Sequence, residues 1–309
     1  PWTRYLEGLG VAFETGVRAK RLQLDGARVA GIVLEDDGRE RTIEADYVVA
    51  ALPVEAMRAL VDDEIARRAP SLATLDRLKT EWMNGIMFYL DRDVHVVHGH
   101  SLFIDSPWAL TSISQRQFWR GVDFKTLGDG RVKGILSVDV SDWETPGILY
   151  GKPASRCTAE QIKNEVWAQI KEHINDQGAE ILDDAGVVRW FIDPSIVFVE
   201  PDRPMNREPL LVNTAGSLAH RPNAWTEIDN LMLAADYVRT HTDLATMEGA
   251  NEAARRAVNA ILARESDPAP HAAVWPLREP FAFAPLRAVD RIRYKARRPH
   301  ALLGARRRA

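Results

Sequence analysis

Asn230-Leu231-Met232-Leu233-Ala234-Ala235-Asp236-Tyr237-Val238-Arg239-Thr240, followed by Asp243-Leu244-Ala245-Thr246-Met247-Glu248-Gly249-Ala250, decides how this chain is read. An apolar run ends in an acidic residue, a short loop follows, and helix-forming residues begin after Thr246. Open α/β sheets hold dinucleotides in the crevice beyond the carboxyl ends of their strands, which is where Asp236 is expected. The stretch therefore predicts an α/β fold, with the closing helix running from Met247 to Ala263.

Upstream, residues 11–53 predict a β-meander that feeds a core strand. Val11 to Thr15 is short and extended. Arg21 to Leu24 alternates polar and apolar, Val29 to Leu34 returns after Asp25-Gly26, and Asp36-Asp37-Gly38 turns again before Arg41 to Glu44. Asp-Gly between such segments is a strong hairpin signal, because glycine accepts the positive φ of a tight turn. Ala45 to Leu52 is a nearly continuous apolar run, the pattern of a strand buried on both faces. Pro53 stops it, and Val54 to Val61 reads as helix.

Residues 70–225 differ in character. Trp82 to Leu90, Ile135 to Val140 and Val187 to Phe191 read as aromatic-rich strands. Thr158-Ala159-Glu160-Gln161 has capping-box spacing, and Ile162, Val166, Ile170 and Ile174 continue it as a helical apolar stripe. Pro194, Pro201 and Pro204 predict an irregular connection over residues 189–204. This block reads as an α+β domain inserted between the two halves of another, which gives 1–69 with 226–265, 70–225, and a tail over 266–309.

Bulk properties bound the function. The chain has 309 residues, 46% hydrophobic and 27% charged, as in ordinary globular proteins. No apolar run is long enough for a spanning helix, and the first residues carry no signal-peptide core. One cysteine, Cys157, excludes an internal disulfide and fits a reducing, cytoplasmic setting. Between Arg291 and Arg308 stand eight basic residues and no acidic one. This basic tail, behind Phe281 and Phe283, is read as a solvated terminus or as a peripheral contact with an anionic membrane. Nucleic-acid binding is not expected, since no recognised module accompanies the patch.

Three segments resemble the flavin-containing amine oxidase and phytoene desaturase superfamily. Leu9-Gly10-Val11 through Gly16-Val17 is similar to its glycine, extended segment and valine ahead of hairpins. Asp46-Tyr47-Val48-Val49-Ala50-Ala51-Leu52-Pro53 is similar to its Asp-x-Val-Val-x-Ala-x-Pro strand. The closing stretch is similar to its Ala-Gly-Asp-Tyr-Thr strand end and Leu-Ala-Ser/Thr-Met-Glu-Gly-Ala helix start. Phytoene desaturases and hydroxysqualene dehydroxylases look closest, on Leu-Ala-Thr-Met-Glu-Gly-Ala and on Phe198-Val199-Glu200-Pro201.

The resemblance implies FAD as cofactor, a Rossmann-like FAD-binding domain of which this chain is the C-terminal part, and hydride transfer from an apolar, isoprenoid-like substrate to flavin. It implies cofactor contacts at Val17 (backbone to adenine), Ala51, Asp236 (ribose or ribityl hydroxyls), Thr246 and Met247 (backbone N–H to the flavin ring). No catalytic side chain is singled out, in keeping with chemistry centred on a cofactor. The Met247 side chain reads as core and Glu248 as a first-turn acid. The chain departs from the pattern at Ala235, where the family has glycine, and at Ala253-Ala254. Its glycines at 8, 10 and 16 do not form the Gly-x-Gly-x-x-Gly phosphate turn, so that unit is expected on a preceding segment or a partner chain. Two other readings stand beside this one: an amine oxidase, and a non-catalytic fragment or scaffold subunit.

Trp82, Phe88, Trp108, Phe118, Trp119, Trp143 and Trp225 are read as core aromatics that could also wall an apolar pocket. His95, His98 and His100 lack the accompanying ligands of a zinc site, and Cys157 lacks a paired histidine.

Overall fold

The computed structural model describes residues 2–175 and 178–300. The chain forms two compact units, Pro1–Arg77 with Ala215–Ala309, and Leu78–Thr214.

The first unit opens with helix α1 (Trp2–Gly8), which no local signal in the sequence announces. The meander follows as β1 (Arg18–Asp25), β2 (Arg28–Asp36) and β3 (Arg39–Ile43), antiparallel and in the order β1-β2-β3. Gly26 (φ 60) and Gly38 (φ 79) make the two turns, as the Asp-Gly pairs predict. Val11 to Thr15 is irregular rather than a strand.

Strand β4 (Val48–Ala50) is short, and it is not buried on both faces: Val49 is 46% exposed. The two-stranded sheet it forms covers only the side that takes Val48 and Ala50. Pro53 then caps α2 (Val54–Leu60), whose Val54, Met57 and Leu60 turn inward. Asp62 caps α3 (Asp63–Arg68) by accepting the Ile65 N–H, and α4 (Pro70–Ala73) follows with proline at its start.

The second unit is built on an antiparallel sheet. Its strands are β5 (Lys79–Glu81), β6 (Asn84–Leu90), β7 (His100–Leu102), β8 (Thr111–Ser114) and β9 (Gly134–Val140), then β10 (Val187–Ile192) after helix α5 (Ala159–Ile174). Five of them pair in the order β10-β6-β9-β8-β7. Ile86, Phe88 and Leu90 of β6 and Leu136, Val138 and Val140 of β9 form one face of the core, against Ile162, Val166 and Ile170 of α5. The expected capping box is present: Thr158 Oγ1 accepts the Gln161 N–H, and Gln161 returns its side chain to the Thr158 N–H.

Residues 189–204 are not an irregular connection. β10 continues to Ile192, and β11 (Ile196–Glu200) pairs with β12 (Arg203–Asn206) as a hairpin. Pro201 lies in its turn and Pro204 in a two-stranded edge, where a missing N–H is tolerated. β13 (Leu210–Val212) pairs with β5.

Returning to the first unit, β14 (Leu231–Leu233) pairs parallel with β4, and α6 (Met247–Arg264) follows. The side chain of Asn230 clasps Val29 of β2, tying the meander to the closing strand. The segment after α6 is ordered against it: Asn259 bonds both the carbonyl and the N–H of Ala272, and Arg255 lies 5.0 Å over the Trp275 ring. The final helix, α7 (Ala284–Lys295), occupies a stretch whose sequence suggests only a basic tail. Arg306, Arg307 and Arg308 of that tail lie outside the described residues.

Candidate functional site

The site is the carboxyl edge of the β4–β14 pair. Val48, Val49 and Ala50 stand in register with Leu231, Met232 and Leu233, and the Ala234 N–H continues the ladder to Ala50 O at 3.1 Å. Because the strands run parallel, both deliver their next residues to one edge: Ala51 from β4, and Ala235 and Asp236 from β14. Leu231, Met232 and Leu233 are wholly buried, so this edge is anchored in the core.

Asp236 is half-buried at the start of the loop to α6. Burial pushes its carboxyl above the usual range, against the charge of Arg221, which opposes the shift. The buried Arg221 guanidinium donates to the Asp236 carbonyl at 3.1 Å and lies 3.4 Å from the Asp243 carboxylate. One cation therefore draws together two points seven positions apart, Asp236 and Asp243, in the loop between β14 and α6. Asp243 takes a positive φ of 43°, a strained conformation for a residue other than glycine.

The far side of the loop is fixed by Glu252 of α6. Its carboxylate accepts the N–H of His241 at 2.7 Å, the N–H of Thr242 at 3.2 Å and the Thr242 hydroxyl at 3.0 Å, and it pairs with Arg256. Burial alone would raise this carboxyl, but the donors outweigh it and hold it below the usual carboxylate range. Arg221 and Glu252 are not singled out in the sequence, because the backbone groups they hold, the Asp236 carbonyl and the His241 and Thr242 N–H groups, are brought near only by the fold.

Thr246 caps α6, its hydroxyl accepting the Gly249 N–H at 3.2 Å. Gly249 permits a tight turn here: a Cβ on it would lie 2.6 Å from the Leu244 carbonyl oxygen. Met247 is the first residue of α6, where N–H groups have no intrahelical acceptor and the helix dipole is positive. Its side chain is 85% exposed, not core as its sequence context suggests, because it projects from the first turn into a cleft shared with Thr242 and Trp275. Ala235 is buried, so its extra methyl group is taken up by packing, while Ala254, where the family has its second glycine, is only partly buried. Tyr237 is wholly buried, and its hydroxyl has no hydrogen-bond partner among the described residues.

Ala51, Asp236, Thr246 and Met247 thus lie on adjacent strand ends and the one loop between β14 and α6. Val17 is apart from them in sequence and element, at the entry to β1 after Gly16 (φ 79).

The second unit holds a separate apolar cleft of about 590 Å³. Tyr89, Ile135, Trp190 and Phe191 of the sheet and Phe124, Leu127 and Val132 of the connecting loop line it, with Arg131 and Arg189 at its rim. None of the seven aromatics singled out in the sequence lines it. Phe88, Trp108 and Trp143 are core, Trp82 packs on the core, Phe118 and Trp119 are half-exposed, and Trp225 lies in the first unit. Among the described residues no three His, Cys, Asp or Glu side chains are placed to hold a metal ion.

Comparison with known proteins identifies the family. Residues 3–262 match the sequence profile of the flavin containing amine oxidoreductases, a span that takes in β4, β14, Asp236 and almost all of α6. The chain belongs to the flavin-containing amine oxidoreductase family. That membership implies a flavin cofactor. No curated protein matches the chain. Similar solved structures include an oxidoreductase from Methanosarcina mazei, 13% identical with a TM-score of 0.44 over 85% of this chain and 52% of that one. A triple mutant of the flavin-dependent brominase Bmp2 is also 13% identical, with a TM-score of 0.42 over 86% of this chain and 55% of that one. The chain thus spans about half the length of these structures.

The residues present fit a flavin in one respect that the structure tests. A helix start, whose first N–H groups have no acceptor within the helix, and a half-buried carboxyl lie at the two ends of one loop, the donor and acceptor set that a ring carbonyl and a sugar hydroxyl need. A phosphate-binding glycine turn is not among the chain's motifs.

Proposed function

We propose that this chain forms the flavin-ring side of an FAD-dependent oxidoreductase of dehydrogenase or desaturase type, acting on an apolar, isoprenoid-like substrate. The parallel β4–β14 pair carries the reading, because it ends Ala51 and Asp236 at one edge, and the start of α6 follows Asp236 after a single loop. In this reading residues 1–69 and 226–265 bind the cofactor and 70–225 form an inserted substrate domain. The Met247 N–H donates to a carbonyl of the ring, Asp236 accepts from a sugar hydroxyl, Thr246 shapes the helix start, and the backbones of Ala51 and Val17 border the cofactor. When bound, the flavin supplies the electron-pair acceptor that no side chain offers.

The apolar cleft supports the substrate class: its wall is aromatic and aliphatic, and it holds no carboxylate except Asp129. An amine is the second reading. It draws on the match of residues 3–262 to the flavin containing amine oxidoreductases.

Flavin titration of the full gene product tests the proposal, comparing the native sequence with Asp236→Ala. We expect flavin fluorescence to be quenched on binding and the affinity of the variant to fall by about tenfold, the worth of a hydrogen bond to a charged group. Equal affinity in both proteins would sink the assignment of this edge. Turnover with polyisoprenoid and amine panels, with peroxide detection, separates the two substrate readings.

A further inference from the structure

Helix α7 presents two opposed faces. Leu286, Val289 and Ile292 recur every third residue on one side, and Arg287, Arg291 and Lys295 every fourth on the other. At 100° per residue these triplets centre about 160° apart. No residue of α7 is buried: Leu286 is 60% exposed, Val289 49% and Ile292 69%. Phe281 (89%) and Phe283 (53%) extend the apolar side through the turn ahead of the helix. A globular protein does not leave such a stripe in water without a use for it.

The charge around the stripe says what covers it. From Ala284 to His300 there are six arginine and lysine residues and one acid, Asp290, which is paired with His300. Arg287 pairs with Glu279 on the approach to the helix, an exposed contact that a headgroup phosphate can replace. Arg293, the one basic residue within the apolar arc, is folded back to the Pro299 carbonyl at 2.8 Å. The other basic groups of the helix stand on the opposite face, where long side chains reach round to the headgroups while their stems stay apolar. A protein groove would need acids to match, and a nucleic-acid backbone offers nothing to Leu286, Val289 and Ile292. Among the described residues no helix is long and apolar enough to cross a membrane, so the contact is in-plane.

We propose that α7 lies in the interface of an anionic lipid bilayer, with Leu286, Val289 and Ile292 buried below the headgroups and Arg287, Arg291 and Lys295 against them. The occupant is the lipid surface, and the inference stands independently of the flavin site.

Vesicle co-sedimentation of the full chain tests it, using phosphatidylcholine alone and phosphatidylcholine containing phosphatidylglycerol. We expect binding only to the anionic vesicles, weakened by added salt. Arg287→Glu with Arg291→Glu should lower the partition coefficient by at least about fivefold per site, the contribution of one basic side chain near an anionic surface. Val289→Asp with Ile292→Asp should abolish binding, and no change in folding is expected because both side chains are already exposed. Equal binding to neutral and anionic vesicles, or binding unchanged in both double variants, would overturn the proposal. So would failure to bind vesicles together with a dimer, seen by sedimentation velocity, that the Val289→Asp, Ile292→Asp variant loses. Binding to duplex DNA without binding to vesicles would overturn it too.

Discussion

The side chain of Asn230 grips the peptide of Val29 at both ends, its Oδ1 accepting the Val29 N–H at 2.7 Å and its Nδ2 donating to the Val29 carbonyl at 2.9 Å. Both bonds are buried, and the residues are 201 apart in the chain. The amide side chain acts as a short piece of sheet between the meander and β14, while the Asn230 carbonyl accepts the Val48 N–H at 2.8 Å. Asn230→Ala leaves two buried backbone groups unpaired and should cost about 2–4 kcal/mol. Asn230→Asp keeps the acceptor but sets a carboxylate against the Val29 carbonyl, and should be as damaging at neutral pH. Urea unfolding of both variants measures this.

Glu252 makes the loop before α6 sensitive to acid. Its carboxyl is held below the usual range in the folded protein, so its contribution is present above the unfolded-state value and lost as pH falls through the folded one. The loop over residues 236–246 should therefore loosen at acid pH. Glu252→Gln should lower stability by about 1–3 kcal/mol and remove that part of the pH dependence. Hydrogen exchange of the His241 and Thr242 amides, followed against pH in both proteins, is the direct readout.

Gly249 is needed for space, not for a special backbone conformation. The methyl group of Gly249→Ala would sit 2.6 Å from the Leu244 carbonyl oxygen, so the substitution must push the loop from the helix start. Flavin affinity of the full gene product should fall more than global stability does. A melting temperature and an FAD titration on the same sample separate the two, and unchanged affinity would show that the helix start does not contact the cofactor.

Cys157 is buried, and burial pushes its thiol up to about 11, with the nearby Glu165 charge acting in the same sense. Thiolate is the reactive form, so the native protein should resist iodoacetamide at mildly alkaline pH and react only once unfolded. Mass spectrometry before and after denaturation checks this.

Much is legible where the signal is local. Thr158 and Gln161 announce α5 because a capping box joins residues three apart, and the Asp-Gly pairs announce the meander because a turn is set by its own residues. The Pro-rich 189–204 stretch misleads because proline's restriction depends on where the chain lies in a sheet, and Pro204 sits on an edge. Val49 misleads because an apolar run does not say how many faces are covered. At the candidate site, Asp236, Thr246 and Met247 are legible from their order along the chain. Arg221 and Glu252 are not, since the loop is held largely through a carbonyl and two N–H groups that any residue could supply.

By itself the sequence determined the α/β class, the meander, both long helices and membership of a flavoprotein family, all of which rest on periodicity, turn chemistry and a motif spanning a few residues. Only the tertiary structure decided that β4 and β14 end at one edge, that Arg221 and Glu252 hold the loop between them, and that the apolar side of α7 stays uncovered. Those are contacts, or the absence of contacts, between residues distant in the chain, and the pattern of side chains along a strand or helix fixes which face is apolar but not what will meet it.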